Sequence, residues 1–323
     1  MRSLRTLAAT LTTAAALLFT TLASPTPAAA DTVPVDTPQS LRYVTYNICG
    51  HSCPEGKGPA PGGYSNARRI AAVVAEASGL WKADQIHLQE VCQQQYDELG
   101  AKLAPLGFSG KFAATVTGKA TVCGGQAYGV AVFVKGTVVR TATIELTQSN
   151  ERELIRVPCV QSLYRSRLSW ACSIHLYWDD NSLRDAEAAV LRRQAESWER
   201  AGTPVVLGGD FNGFPDEDFM DGFYRPALGG GAQGVFDEAD QTDNNPRNTP
   251  ACAAGTRLCR GGEPTFRGPG CPPVTVPETL TDCKIDYIFF SSRHFRHVVG
   301  DSMPLDNRVT DHHMVRGAAD WIG

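Results

Sequence analysis

The sequence predicts an α/β fold in which sheets pack against each other and are covered by helices. Residues 203–209 form a short apolar segment of the kind found in strands that are buried on both faces. Residues 182–200 repeat apolar side chains near helical spacing, and four segments rich in Val, Ile and Thr lie between residues 128 and 176. Helices next to buried strands, with antiparallel runs between them, favour packed and helix-covered sheets.

The first part of the chain alternates strand and helix. Residues 41–48 alternate and are rich in β-formers, which predicts a strand that ends at Asn47. Ser65 is a suitable N-cap for the helix that follows, and Pro105 ends the second helix. The elements predicted here are strand 41–47, helix 66–78, strand 85–91 and helix 94–103.

The rest of the chain is predicted to contain mainly strands and one long helix. Residues 240–282 are rich in Pro, Gly, Asn and Cys and bury little, so disulfides are expected to hold this segment in place of a core. No Ser/Gly linker divides residues 31–323, and a single domain is predicted. The predicted strands are 128–134, 137–146, 153–160, 168–176, 203–209, 284–291 and a last one from residue 314, and the helix is 182–200.

Residues 1–30 are predicted to be a secretory signal peptide. Arg2 and Arg5 precede an apolar run interrupted only by threonines, and alanines at 28–30 supply a small-residue cleavage site. The run is too short and too rich in threonine for a good membrane span, and an uncleaved anchor is the alternative. No later segment is apolar enough to cross a bilayer, so we expect a secreted, extracellular protein without stable membrane insertion.

All ten cysteines lie after the predicted signal peptide, and an even number in a secreted chain favours disulfides. A zinc site is the alternative, but the Cys49, Cys53 and the Cys252, Cys259 spacings lack the short pairs and histidines that zinc requires. The disulfide pairing stays open, and a monomer is expected. The formal net charge of −4 does not indicate a protein that holds polyanions on a basic surface. It is compatible with an enzyme that meets phosphate through a bound cation.

Polar residues recur where the apolar strands end. A charged group at the end of a buried strand is costly unless it is paired or bound to a cation, so these groups are expected to form one concave polar site. Their oxygen ligands suit Mg²⁺, their two histidines offer proton transfer near neutral pH, and the combination favours phosphoryl chemistry over acyl transfer. They are Asn47, Glu90, His175, Asp210, Asn212, Asp286, Asp311 and His312.

Several of these residues also have plainer interpretations. Asn47 could form a turn at a strand end, Glu90 could lie on the surface at a helix start, and Asp210 could belong to an Asx-rich turn. The position of Asp210 directly after a buried strand favours a function. Asp286 is the hardest to explain without one, because a carboxylate inside a buried strand needs a partner.

The motifs TYN, LQEV, HL, GGDFN, KIDY and TDHH occur in an order that resembles the endonuclease/exonuclease/phosphatase superfamily, from about residue 41 to residue 315. This resemblance implies an α/β fold that is a four-layer α/β/β/α sandwich of two packed mixed sheets flanked by helices. It also implies that Asn47 and Glu90, helped by Asp311, hold a catalytic Mg²⁺ or Mn²⁺.

The resemblance implies roles for the other five residues as well. His312, oriented by Asp286, would activate water or donate a hydrogen bond to the phosphoryl group. Asp210 would position or deprotonate the nucleophilic water, and Asn212 would bind a phosphate oxygen. His175 would stabilise the charge of the transition state or assist the leaving group.

Three further features bear on the expected chemistry. Nucleases of the family support the histidine that matches His175 with a glutamate, whereas the nearest candidate here is Gln126, which carries no charge. The acidic segment 213–225 is expected to repel a nucleic-acid backbone unless it binds Ca²⁺ as a structural ion. Trp178 is a candidate for stacking on a substrate base or headgroup, with packing on the next helix as the alternative.

The leading prediction is a secreted, metal-dependent phosphodiesterase. A nuclease that cleaves nucleic acid is placed slightly ahead of a sphingomyelinase-like enzyme that binds a phospholipid headgroup. The alternatives are a phosphomonoesterase for inositol phosphates or other small phosphate esters, and a non-catalytic binding or toxin-like subunit. The uncharged Gln126 is the only support for the non-catalytic subunit.

Overall fold

The computed structural model describes residues 33–50, 66–117, 123–149, 151–241, 260–268, 271 and 282–323. The predicted signal peptide, the Ser65 cap, Cys53, Cys252, Cys259 and most of the Pro- and Gly-rich segment 240–282 lie outside the described residues. The α-helices in these ranges are α1 (Asn66–Ser78), α2 (Gln93–Leu103) and α3 (Asn181–Arg200). In chain order the strands are β1 (Leu41–Asn47), β2 (Gln85–Cys92), β3 (Phe108–Val116), β4 (Tyr128–Lys135), β5 (Thr137–Glu145), β6 (Arg156–Tyr164), β7 (Arg167–His175), β8 (Val205–Asp210), β9 (Phe236–Glu238), β10 (Phe266–Arg267), β11 (Asp282–Cys283), β12 (Asp286–Ser291), β13 (Phe295–Ser302) and β14 (Val315–Trp321).

The strands form two six-stranded mixed sheets and one short ribbon. The first sheet has the order β13-β14-β1-β2-β4-β3, and β1 pairs with β2 in parallel. The second has the order β5-β6-β7-β8-β12-β9, and β7 pairs with β8 in parallel. The ribbon consists of β10 and β11, which pair antiparallel. In each large sheet the parallel pair is central, which places the ends of β1 and β8 in the interior of the molecule.

Helices cover the outer face of each sheet. Ile70 and Val73 of α1 and Leu99 of α2 pack with apolar side chains of the first sheet. Ala188 and Leu191 of α3 pack with those of the second sheet. These side chains are almost fully buried, which removes apolar surface from water and stabilises the fold.

The inner faces of the two sheets pack on each other. Tyr43 of the first sheet contacts Phe290 of the second with ring centroids 4.8 Å apart. The sheets approach closely where Gly208 faces the ring of His87, because a Cβ atom at Gly208 would lie 2.7 Å from the His87 Cγ. The result is the predicted four-layer α/β/β/α sandwich, which is confirmed.

Several predicted elements differ from the structure in their bounds. β6 begins at Arg156, not at residue 153, so Glu153 lies in the preceding loop. β3 was not predicted, because its sequence FSGKFAATV contains small residues and a glycine that weaken the strand pattern. β13 was not predicted either. Among the described residues, no helix has the length and apolar character needed to span a bilayer.

Disulfides are present, as the cysteine count predicts. None of the cysteines within the described ranges is free. Cys92–Cys123 joins the end of β2 to the segment before β4, and Cys271–Cys283 anchors β11. Cys159–Cys172 links paired residues of β6 and β7. These bonds are compatible with an extracellular protein.

Candidate active site

The ends of strands from both sheets meet at Asn47. Its amide Nδ2 donates to Asp210 Oδ2 at 3.2 Å and to Glu90 Oε1 at 3.0 Å. Its Oδ1 accepts a hydrogen bond from the Cys49 backbone N–H at 3.0 Å, which fixes the amide. Asn47 and Asp210 are buried. The sandwich therefore brings residues of β1, β2 and β8 into direct contact.

Glu90 reaches this point because β2 is irregular there. The pairing of β2 with β4 shifts register between Leu88 and Val91, and Glu90 has a φ of +55°. A bulge of this kind re-aims a side chain, and a positive φ is costly for a residue other than glycine. The Gly50 N–H donates to the Glu90 carbonyl at 2.6 Å, and the Glu90 carboxylate lies near the buried Tyr128 hydroxyl, whose pKa burial and this carboxylate raise. These contacts hold a strained residue at the site.

Asp286 and His312 form a buried hydrogen-bonded pair. His312 Nδ1 lies 3.0 Å from Asp286 Oδ2, and this carboxylate makes Nδ1 the protonated nitrogen. Asp286 is the first residue of β12 and pairs in register with Asp210 of β8. Thr265 Oγ1 accepts a hydrogen bond from the Asp286 N–H at 2.9 Å, and Thr310 Oγ1 accepts one from the His312 N–H at 3.2 Å.

Asp210 lies between two imidazoles. Its Oδ2 is 3.8 Å from His175 Nε2 and 3.8 Å from His312 Nε2. Burial and the Asp286 carboxylate raise the pKa of Asp210, and the two histidines offset this only in part. Burial lowers the pKa of His312, but the charges of Asp286 and Asp210 outweigh it and raise the pKa to about 10. The cluster therefore keeps a proton on His312 at neutral pH.

Asn212 holds the loop after β8 against the end of β7. It adopts a φ of +49°, a conformation that asparagine tolerates well. Its N–H donates to Asp210 Oδ1 at 2.9 Å, and its Nδ2 donates to the Leu176 carbonyl at 2.7 Å. The amide has a second N–H that can meet a substrate oxygen. Asn212 and His175, the last residue of β7, thus flank the Asp210 carboxylate.

Asp311 lies beside His312 in the chain and in space. Its carbonyl accepts a hydrogen bond from the Arg267 N–H at 2.9 Å, and its Oδ1 accepts one from Thr310 Oγ1 at 3.4 Å. Its charge contributes to the raised pKa of His312. All eight residues predicted from the sequence therefore belong to the described part of the chain. Asn47, Glu90, His175, Asp210, Asn212, Asp286 and His312 are joined by contacts of 3.8 Å or less.

The site carries buried negative charge that suits a cation. Ligand atoms of Asp210, Asp286 and His312 lie within 4.8 Å of one another. Asp286 Oδ1 is buried and has no hydrogen-bond partner. A buried carboxylate oxygen of this kind is costly unless a proton or a metal ion satisfies it.

Sequence reasoning did not single out Tyr128 or Glu153, which both lie at the site. Burial raises the pKa of the Glu153 carboxyl and the nearby His175 lowers it, so the two groups interact. Gln126 has no such role, because its Oε1 accepts a hydrogen bond from the exposed Gln94 N–H at 3.1 Å. The carboxylate near His175 therefore comes from the loop before β6, a segment predicted to be strand.

Two features of the rim bear on substrate and cation binding. Trp178 is 63% exposed, so most of its surface is open to solvent. In the acidic segment 213–225, Glu217 pairs with Arg184, and Asp221 pairs with Arg260. These ion pairs neutralise part of the segment and weaken the reason to expect Ca²⁺ there.

Comparison with known proteins gives one family and many similar folds. The model of the Endonuclease/Exonuclease/phosphatase family matches residues 44–312. No curated protein matches the sequence. Solved structures of similar fold include the human Nocturnin catalytic domain with bound sulfate (17% identity, TM-score 0.60, 87% of this chain and 94% of that chain).

Two further structures are similar at the same level. A mannosyl-6-phosphatase from Bacteroides thetaiotaomicron has 14% identity and a TM-score of 0.58, with 87% of this chain and 99% of that chain covered. TDP2 from C. elegans has 14% identity and a TM-score of 0.58, with 87% and 75% covered. At these identities the likeness shows the fold alone.

Proposed function

The chain belongs to the endonuclease/exonuclease/phosphatase family, and from this premise we propose that it is a secreted, divalent-metal-dependent phosphodiesterase. The family consists of phosphoester hydrolases. The observation that supports activity in this chain is the contact network from Glu90 through Asn47 and Asp210 to His312. The predicted signal peptide and the disulfides support the extracellular location.

The donor set fits a hard divalent cation, Mg²⁺ or Mn²⁺. Asn47, Glu90 and Asp311 would hold it through oxygen atoms, and when bound it neutralises charge on the phosphoryl oxygens. His312 is a less suitable ligand, because its Nδ1 is hydrogen-bonded to Asp286 and Mg²⁺ prefers oxygen. We therefore assign the pair His312 and Asp286 to proton chemistry.

The remaining residues supply a base and hydrogen-bond donors. Asp210 accepts the proton of the attacking water, and its raised pKa brings it closer to the pH at which a base works well. His312, protonated and held by Asp286, donates a hydrogen bond from Nε2 to a phosphoryl oxygen. Asn212 contacts a second phosphate oxygen through its amide. His175 lies on the other side of Asp210 and assists the departing oxygen.

Removing the metal should abolish turnover. The purified protein, incubated with a model phosphodiester and then with EDTA, is expected to lose at least about 100-fold in rate, because the metal carries the charge stabilisation. Addition of Mg²⁺ or Mn²⁺ in excess over EDTA should restore the rate. Turnover that is insensitive to EDTA would contradict the proposed mechanism. DNA, RNA, sphingomyelin and a phosphomonoester, assayed in parallel, identify the substrate class.

A nucleic-acid substrate is favoured by the exposed ring of Trp178, three residues after His175. Base stacking on an aromatic side chain contributes about 1–3 kcal/mol, so Trp178→Ala should raise KM for a nucleotide substrate about 5- to 150-fold. The KM for a phosphodiester without aromatic groups should change little. Leu80→Ala, at another exposed apolar residue, is the control. An unchanged KM for nucleotides would remove Trp178 from the binding site.

A phosphomonoesterase is the second candidate, and the mannosyl-6-phosphatase with the same fold supports it. The substrate comparison separates the two, because a phosphomonoesterase would prefer the monoester. Glu153 argues against the non-catalytic subunit, because its carboxylate interacts with His175 and supplies a charge that Gln126 lacks.

A further inference from the structure

A second group of carboxylates lies between the loop before β6 and helix α3. Glu187 of α3 is fully buried, and its Oε2 accepts a hydrogen bond from the Tyr177 N–H at 2.9 Å. Its Oε1 has no hydrogen-bond donor. Glu151 is in side-chain contact with Glu187, and both of its carboxylate oxygens are buried without a donor. Two carboxylates thus meet without a hydrogen-bond donor for the oxygens that face each other.

The electrostatic environment of this pair is acidic. The charged groups that act on Glu187 are Glu151 and Glu153, and both are negative. Arg152 lies between them in the chain, but its guanidinium is exposed and pairs with Asp179 at 3.2 Å. Arg152, the basic residue nearest to Glu151 in sequence, therefore points toward solvent and not toward the carboxylate pair.

Such a pair needs a proton or a cation. Two buried carboxylates that lack donors repel each other, and each loses its hydration. Burial and the contact with Glu151 raise the pKa of Glu187 to about 9, because a negative charge is unfavourable there without a counter-ion. A cation that accepts several oxygen ligands would satisfy Glu187 Oε1 and both oxygens of Glu151 together.

We propose that Glu151 and Glu187 bind a second divalent cation of the Ca²⁺ type, separate from the catalytic one. Ca²⁺ accepts irregular sets of six to eight oxygens, including bidentate carboxylates and water, which suits ligands drawn from a loop and a helix. Mg²⁺ demands a regular octahedron and fits such a set less well.

This cation would fix the loop that carries Glu153. The loop is attached on the same side by the hydrogen bond from the Arg152 N–H to the Tyr177 hydroxyl, at 3.4 Å. With Glu151 bound to α3 through the ion, Glu153 would be held near His175. The inference goes beyond the proposed catalytic activity, because it concerns stability and loop position and not the reacting atoms.

The test uses Ca²⁺ as the probe and thermal unfolding as the readout. In the Glu90→Gln background, which weakens the catalytic site, millimolar Ca²⁺ added to EDTA-treated protein should raise Tm by several degrees, as a ligand bound only to the folded state does. The double variant Glu90→Gln/Glu187→Gln should show no such rise. Glu90→Gln/Glu196→Gln, with its change on the same helix, should keep it. Equilibrium dialysis with radioactive calcium should show one site lost with Glu187→Gln.

Two results would overturn the inference. The first is an absence of any Ca²⁺-dependent rise in Tm in the Glu90→Gln background, which would assign a shared proton to the pair in place of a cation. The second is a rise that persists in both Glu187→Gln and Glu151→Gln variants. Neither readout depends on turnover, so failure here is distinguishable from failure of the proposed phosphodiesterase activity.

Discussion

Replacing His312 by glutamine should lower kcat for a phosphodiester about 100- to 10,000-fold, the range for loss of a positioned acid or base. The imidazole is buried, its Nδ1 is held by Asp286 at 3.0 Å, and its Nε2 faces Asp210 at 3.8 Å. Burial lowers the pKa of His312, yet the two carboxylates raise it to about 10, so at neutral pH the ring donates from Nε2. Glutamine can bond to Asp286 but cannot carry the proton. Steady-state kinetics with a model phosphodiester measures the loss.

The neighbouring histidine provides a matched control. His313 Nδ1 forms a hydrogen bond with the Met303 carbonyl at 2.9 Å. Among the contacts described, none joins His313 to Asp210 or Asp286. His313→Gln should therefore keep most of the activity. The activity of Asp286→Asn should lie between those of His312→Gln and His313→Gln. This change leaves the His312 ring in place but removes the charge that keeps it protonated. Equal losses for His312→Gln and His313→Gln would rule out the assigned role of His312.

Replacing Glu90 by glutamine should reduce kcat/KM more than about 100-fold at low metal concentration, with partial recovery at high Mg²⁺. The change is nearly isosteric, but it removes one negative charge from a site where Mg²⁺ is held by very few carboxylates. The hydrogen bond that Glu90 accepts from Asn47 can be retained by the amide oxygen of glutamine, so the fold should persist. The measurement is activity as a function of Mg²⁺ concentration.

Glu98→Gln is the control for this substitution. Glu98 is a partly exposed residue of α2 that pairs with Lys102 at 3.8 Å, and a surface pair of this kind contributes little. The dependence of the Glu98→Gln variant's activity on Mg²⁺ concentration should equal that of the wild type. A Glu90→Gln variant with an unchanged Mg²⁺ requirement would show that Glu90 does not hold the metal. Asp210 and Asp286 would then be the better candidates for metal ligands.

The positions of most strands and helices follow from local patterns. β1 was predicted to end at Asn47 and does so, and α1 spans the predicted residues 66–78. β8 was recognised because it is apolar up to its last residue, Asp210, which reflects its burial on both faces. β3 was not predicted, because Gly110 and the alanines of this segment do not form a recognisable strand pattern. Its pairing with β4 holds it in the sheet.

The loop before β6 shows where local reasoning fails. Residues 153–160 have the composition of a strand, but the structure begins the strand at Arg156. The bond from the Arg152 N–H to the Tyr177 hydroxyl and the meeting of Glu151 with Glu187 involve residues distant in the chain. Such contacts depend on how β7 and α3 lie relative to β6, which no local pattern encodes.

By itself, the sequence predicted which polar side chains would lie together, because polar residues at the ends of apolar strands can be recognised from the sequence. It also determined the layered α/β class, because strand and helix periodicities are local properties. Only the tertiary structure decided that Asn47 joins Glu90 to Asp210, that a bulge aims Glu90 inward, and that Glu153 lies close enough to His175 to interact with it. The physical reason is that these are contacts between separate elements, and their distances are set by the packing of two sheets and not by neighbours along the chain.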